Sequence, residues 1–240
     1  MNTVDAFIII GVAALIHASF QLGVSVLTLL SSHTIGKRRS HTKLLRLVGS
    51  FIVGAGVMTM LILSFVSLLL LTFLSASDIP LMVWAVACGL MIGLGVAVWA
   101  FYYRREQGTS LWIPRSLARY LHDRTKLTRL SGEAFGLGLS SVFAELLFIA
   151  GPIFIASLVL IQLPAIWQLY GILAYTAISL LSLLIVGALI GGGHRISHIQ
   201  KWREDNKYFL QFVAGGGLMV LGLYVYVEQV VVTMSVAGIQ

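Results

Sequence analysis

Two side chains in this 240-residue chain stand where ionisable groups are costly. His17 and Glu145 each lie deep inside a long apolar stretch, about eleven residues from its start. At the middle of a bilayer an ionisable group costs about 2.5 to 3.5 kcal/mol on insertion scales for Arg, Lys or Asp, so such a group suggests an ion path or a proton relay by default. Around His17, the residues Gln21 and Ser25 recur every fourth position and Thr28 follows three further on, which makes one polar stripe on an otherwise apolar helix. Around Glu145, Ser141 lies one turn earlier, and Pro152 offers no N–H to the carbonyl of Phe148, so a carbonyl beside a carboxylate could bind a cation. Tyr175, Ser179 and Ser182 form another polar face at spacings of four and three. The expected path therefore comprises His17, Gln21, Ser25, Ser141, Glu145, Pro152, Tyr175 and Ser179. His17 and Glu145 would exchange protons as its occupancy changes, for which a histidine of ordinary pKa about 6.5 is suited. The competing reading is a buried His-to-Glu hydrogen bond that only ties helices together, with Tyr175, Ser179 and Ser182 serving helix packing.

The elements that position these residues follow from composition. The chain is 58% hydrophobic and 10% charged, against about 25% charged residues in soluble domains. Apolar stretches cover residues 6–31, 47–75, 79–103, 134–162, 164–192 and 208–231. Each is long enough for a helix rising about 1.5 Å per residue to cross about 30 Å of hydrocarbon. Helices are required because lipid offers no partner to free backbone groups. The first stretch lacks a basic leader and is too long for a signal peptide's apolar core, so it is expected to remain. The expected fold is all-α, a polytopic membrane protein of six transmembrane helices.

The charges orient it. All 16 Lys and Arg residues fall into the connections after the first, third and fifth stretches, from Lys37 to Arg46, from Arg104 to Arg129 and from Arg195 to Lys207. Six alternating spans put these connections on one face, and the positive-inside rule makes that face cytoplasmic, with N-out and C-out termini. An error of one in the helix count would scatter the basic loops to both sides. The implied location is the plasma (inner) membrane, multi-pass. The net charge of +7 is explained by topology and anionic lipid headgroups, and no nucleic acid partner is expected. The long loop from Ser110 to His122 interleaves apolar and basic residues and suits a short helix in the membrane interface, with a gating role as the alternative.

Three regions result: residues 1–103 as a first three-helix half, 104–133 as the basic cytoplasmic loop, and 134–240 as a second three-helix half. Because three is odd, the second half enters the membrane in the opposite sense, as two inverted three-helix halves require. Gly11 to His17 and Gly138 to Glu145 have similar spacing, and glycines mark both Gly49-to-Gly56 and Gly215-to-Gly217. With its Gly-rich second and last helices, this layout resembles the superfamily of lysine exporters, nickel and cobalt exporters and six-helix thiol electron carriers (LysE / DsbD (CcdA)-like). That resemblance implies transport. The single cysteine, Cys88, excludes the thiol carriers' electron transfer, and His17 alone stands where the nickel exporters have a His- and Asp-rich helix.

The expectation is a secondary transporter or exporter of a small solute or ion, with a proton gradient as the energy source that fits His17 and Glu145 best, without cofactors and without a resident metal. No Walker loop supports ATP hydrolysis, and no HExxH or Gly-x-Ser-x-Gly element supports an enzyme on a lipid-linked substrate. A non-transporting membrane subunit is the rival, and a second copy of the chain or another membrane protein is left open as partner. His194 and His198 have the spacing of two metal ligands but no third ligand close in sequence. Cys88, the Gly89/Gly93 pair and the Gly132/Gly136 pair are expected to serve close packing, and Glu228 to be a wet residue near the end of the last helix.

Overall fold

The computed structural model describes residues 2–20, 22–35, 41–75, 79–101, 115–194 and 196–237, and these are almost wholly helical. In chain order the helices are α1 (Thr3–Ser19), α2 (Leu22–Ile35), α3 (His41–Phe73), α4 (Leu81–Phe101), α5 (Arg115–Leu127), α6 (Ser131–Leu160), α7 (Ala165–Ser179), α8 (Leu181–Gly191), α9 (Ile196–Asp205) and α10 (Lys207–Tyr226). α10 runs on through a π-helical turn, Val227–Val231, into α11 (Val232–Ala237). Four helical segments are long and apolar enough to cross a bilayer, and six are if each bent pair counts as one. Their outward faces carry large apolar side chains such as Leu61, Phe65, Phe212 and Val220.

Two of the six apolar stretches are not single helices. α1 and α2 meet at 45°, and α7 and α8 meet at 47°. Both breaks follow a serine that turns its hydroxyl back on its own helix. Ser19 Oγ donates to the carbonyl of Ile16 at 2.6 Å and Ser179 Oγ to that of Thr176 at 2.9 Å. Such bonds compete with the helical ladder and favour a bend. After Ser19 the backbone of Phe20 is extended (φ −74°, ψ 146°). The expected continuous stripe on the first helix is therefore corrected: His17 belongs to α1, Ser25 and Thr28 to α2, and Gln21 lies outside the described residues.

α6 is the central element, with 72% of its apolar window buried against 33% to 39% for α3, α4 and α10. It packs on α1, α2, α3, α4 and α5, while α7 and α8 lie on α1, α2 and α3, and α10 lies on α4 and α1. The α3–α6 crossing is made by two glycines facing each other's backbones. A Cβ on Gly54 would collide with the carbonyl of Phe135, and one on Gly138 with that of Phe51. At the α4–α10 crossing, a Cβ on Gly95 or Gly215 would come within 2.8 Å of the other's carbonyl oxygen. Gln211 Nε2 then donates to the carbonyls of Val98 and Trp99, both at 2.7 Å. The glycines expected to pack are different ones: Gly89, Gly93, Gly132 and Gly136 have open space where a Cβ would sit. Spacing alone does not say which face of a helix meets a neighbour. Cys88 is buried in the core, as its reading as a packing residue requires.

Candidate functional site

Glu145 sits midway along α6 and is 6% exposed. Its Oε1 accepts the backbone N–H of Leu22 at 2.7 Å, and the N–H of Gly23 also donates to the carboxylate. Those amides open α2 and have no partner within the helix, because an α-helix leaves its first N–H groups unbonded. The break after Ser19 thus exposes a positive helix end, and a carboxylate from the central helix fills it. The two features are complementary, since either alone would leave buried polar groups unsatisfied.

His17, one residue pair before the break, is also 6% exposed. Its Nδ1 shares a 3.1 Å hydrogen bond with the hydroxyl of Tyr175 on α7, and the two rings are 5.7 Å apart. Tyr175 is fully buried. The direct bond between His17 and Glu145 is absent, because each takes a different partner. Both nevertheless line one cavity.

That cavity is small and partly enclosed, about 20 Å³, room for about one water molecule. Its polar wall is His17, Thr59, Ser141, Glu145, Ser179 and Ser182, and its apolar wall includes Phe20, Val24, Ala55 and Leu183. It therefore draws on α1, α2, α3, α6, α7 and α8, and lies beside both helix breaks. Ser141 Oγ donates to the carbonyl of Gly138 at 2.8 Å, which commits its proton and leaves its lone pairs for other use.

The remaining expected residues divide. Ser179 lines the cavity, whereas Tyr175 stands behind His17. Ser25 faces α9, where it accepts a 2.8 Å hydrogen bond from Nη2 of Arg203. Thr28 donates to the carbonyl of Ser25 at 2.9 Å and is buried. Pro152 is buried in an unbroken α6, and neither it nor Phe148 lines the cavity. Phe148 instead stacks on Phe20, with centroids 5.9 Å apart. His194, His198 and Glu228 are exposed, and no three His, Cys, Asp or Glu side chains gather to hold a metal among the described residues.

Arg203 is the functional candidate that a reading by loops misses. It belongs to a connection that looks solvated, yet it is 2% exposed. The signal is periodic: Ile196, Ile199 and Arg203 are spaced three and four apart and form the buried face of α9. An arginine on an apolar stripe has a partner to reach.

α5 falls partly where an interfacial helix is expected, residues 110–114 of that segment lying outside the described residues. Leu121 and Thr125 face inward, while Arg119, Tyr120, Arg124 and Lys126 are exposed, with Arg124 over the Tyr120 ring at 5.7 Å. No family model, curated protein or solved structure matches the chain, so its function is to be read from this geometry.

Proposed function

We propose that this protein is a secondary transporter of a small solute or ion, built as six spans in two inverted halves, with alternating access at the cavity between His17 and Glu145. The observation that carries this reading is the meeting of a broken helix, a buried carboxylate and a small cavity lined by His17, Ser141 and Glu145 at one place. Discontinuous helices whose ends face a mid-bilayer site are the usual way for a transporter to expose backbone groups to a solute. A subunit with a purely structural role is the rival, and it predicts that the polar groups here serve only to hold the helices together.

The packing fits two repeated halves, whichever way each is directed. Let the spans be α1–α2, α3, α4, α6, α7–α8 and α10, and exchange the first three for the last three. The contact of span two with span four becomes that of span five with span one, and both are made. Span three on span four becomes span six on span one, again both made. The pairs one with four, two with five and three with six map onto themselves, and all three are made. The breaks do not obey this exchange, since they fall in spans one and five. Asymmetry of that kind suits one site that must differ between its two sides.

The basic connections then face the cytoplasm of an inner membrane, α5 lies against anionic headgroups, and the energy comes from a proton gradient. This is the behaviour implied by the resemblance to the lysine and metal exporters. The test is proteoliposomes holding the purified protein and a pH-sensitive dye, given a panel of small cations, anions and neutral solutes. A solute gradient that moves protons only when the protein is present is the expected result, and no response to any solute counts against the reading.

A further inference from the structure

On the transport reading, one wall of the cavity has to move, and the first turn of α2 is held in a way that allows it. Gly23 and Val24 of that turn line the cavity. The turn is gripped from two sides. On one side Glu145, from α6, takes the amides of Leu22 and Gly23. On the other, Arg203, from α9, donates to Ser25 Oγ at 2.8 Å. A buried cation is costly without compensation. Its placement on α9, a ten-residue helix that buries only Ile196, Ile199 and Arg203, ties that short element to the cavity wall.

We infer that α9 is the gate on its side of the cavity and that Arg203 is its latch, holding α2 closed through Ser25 while Glu145 holds the first amides of α2. Neutralising Glu145 weakens the hold of the carboxylate on the amides of Leu22 and Gly23, so the first turn of α2 is left to the Arg203 grip alone. His17 on α1 is the other titratable group lining the cavity, with Tyr175 on α7 behind it. α2, α3 and α8 contribute apolar, hydroxyl-bearing or glycine residues to the wall and no charge. Arg203 is thus a positioning residue, acting on the site through Ser25 and α2.

The latch is tested by access to the cavity, which requires no known solute. In full-length protein reconstituted in vesicles, with Cys88→Ala as background, Ser182→Cys serves as reporter for a charged, membrane-impermeant thiol reagent added to each side in turn. Arg203→Ala and Ser25→Ala are expected to speed labelling from the α9 side about tenfold, the scale of losing one hydrogen bond to a charged group. Glu145→Gln should do the same, and Arg203→Lys should return the rate towards the parent's. Ser25→Ala removes one hydroxyl from a half-buried position, so it reports even if Arg203→Ala fails to fold. Labelling of Ser25→Ala at the parent rate overturns the latch. Faster labelling in a protein that moves no solute leaves the latch standing and removes the transporter, whereas solute flux with unchanged labelling does the reverse.

Discussion

The carboxylate of Glu145 accepts the backbone N–H of Leu22 at 2.7 Å, so a side chain in the middle of one long helix caps the beginning of another. This bond explains how the first apolar stretch can break inside a hydrophobic bundle. It also gives Glu145 a structural duty that is separable from its charge.

The separation is measurable by comparing two substitutions. Glu145→Gln keeps an oxygen able to accept the Leu22 amide, and its thermal unfolding in detergent should stay within about 1 kcal/mol of the parent. Glu145→Ala leaves buried amides without an acceptor and should cost about 1 to 3 kcal/mol. Equal losses in the two variants would mean that charge, rather than capping, holds the site together.

Tyr175→Phe deletes the hydroxyl bonded to His17 Nδ1 while keeping the ring. A double-mutant cycle with His17→Ala should return a coupling of about 1 kcal/mol, as expected for side chains in contact. Additive losses would show that the 3.1 Å contact contributes nothing.

Glycines offer a contrast within one chain. Gly54→Ala and Gly138→Ala each drive a methyl into a backbone carbonyl across the α3–α6 crossing. Neither carbonyl can swing aside as a side-chain tip does, so each variant should lose at least about 1 to 3 kcal/mol. Gly89→Ala and Gly93→Ala meet open space and should be neutral or slightly stabilising, because alanine is the better helix former. Thermal unfolding of the four variants under one condition checks the ordering.

The contrast also shows what could be read before the structure. Apolar length marked every long helix, because crossing hydrocarbon sets a minimum that composition must meet. Unusual side chains marked the site, since His17 and Glu145 are costly wherever they are buried, and both line the cavity. The serine-linked breaks were hidden, because Ser19 and Ser179 lie inside stretches long and apolar enough to read as single helices. The partners of His17 and Glu145 were hidden too: one is a tyrosine 158 residues away and the other is a backbone amide, which no side-chain pattern advertises. Arg203 was concealed by its neighbours, for a basic connection reads as solvated until the period of Ile196, Ile199 and Arg203 is followed.

The six-span proposal, with its basic connections inside, makes sidedness measurable. With Cys88→Ala as background, Lys43→Cys and Lys201→Cys should resist an impermeant thiol reagent applied to intact cells, while Ser75→Cys and Gln162→Cys should react. Labelling of Lys43→Cys and Gln162→Cys from the same side would break the six-span arrangement.

The central claim is that charge on Glu145, beside His17, couples solute movement to protons. Its most direct measurement is solute-driven proton flux in proteoliposomes for the parent, His17→Ala and Glu145→Gln, each shown to be folded and inserted to the same extent. The account predicts that Glu145→Gln abolishes proton movement and that His17→Ala reduces it and changes its dependence on pH. Proton flux at the parent rate in both variants would contradict it.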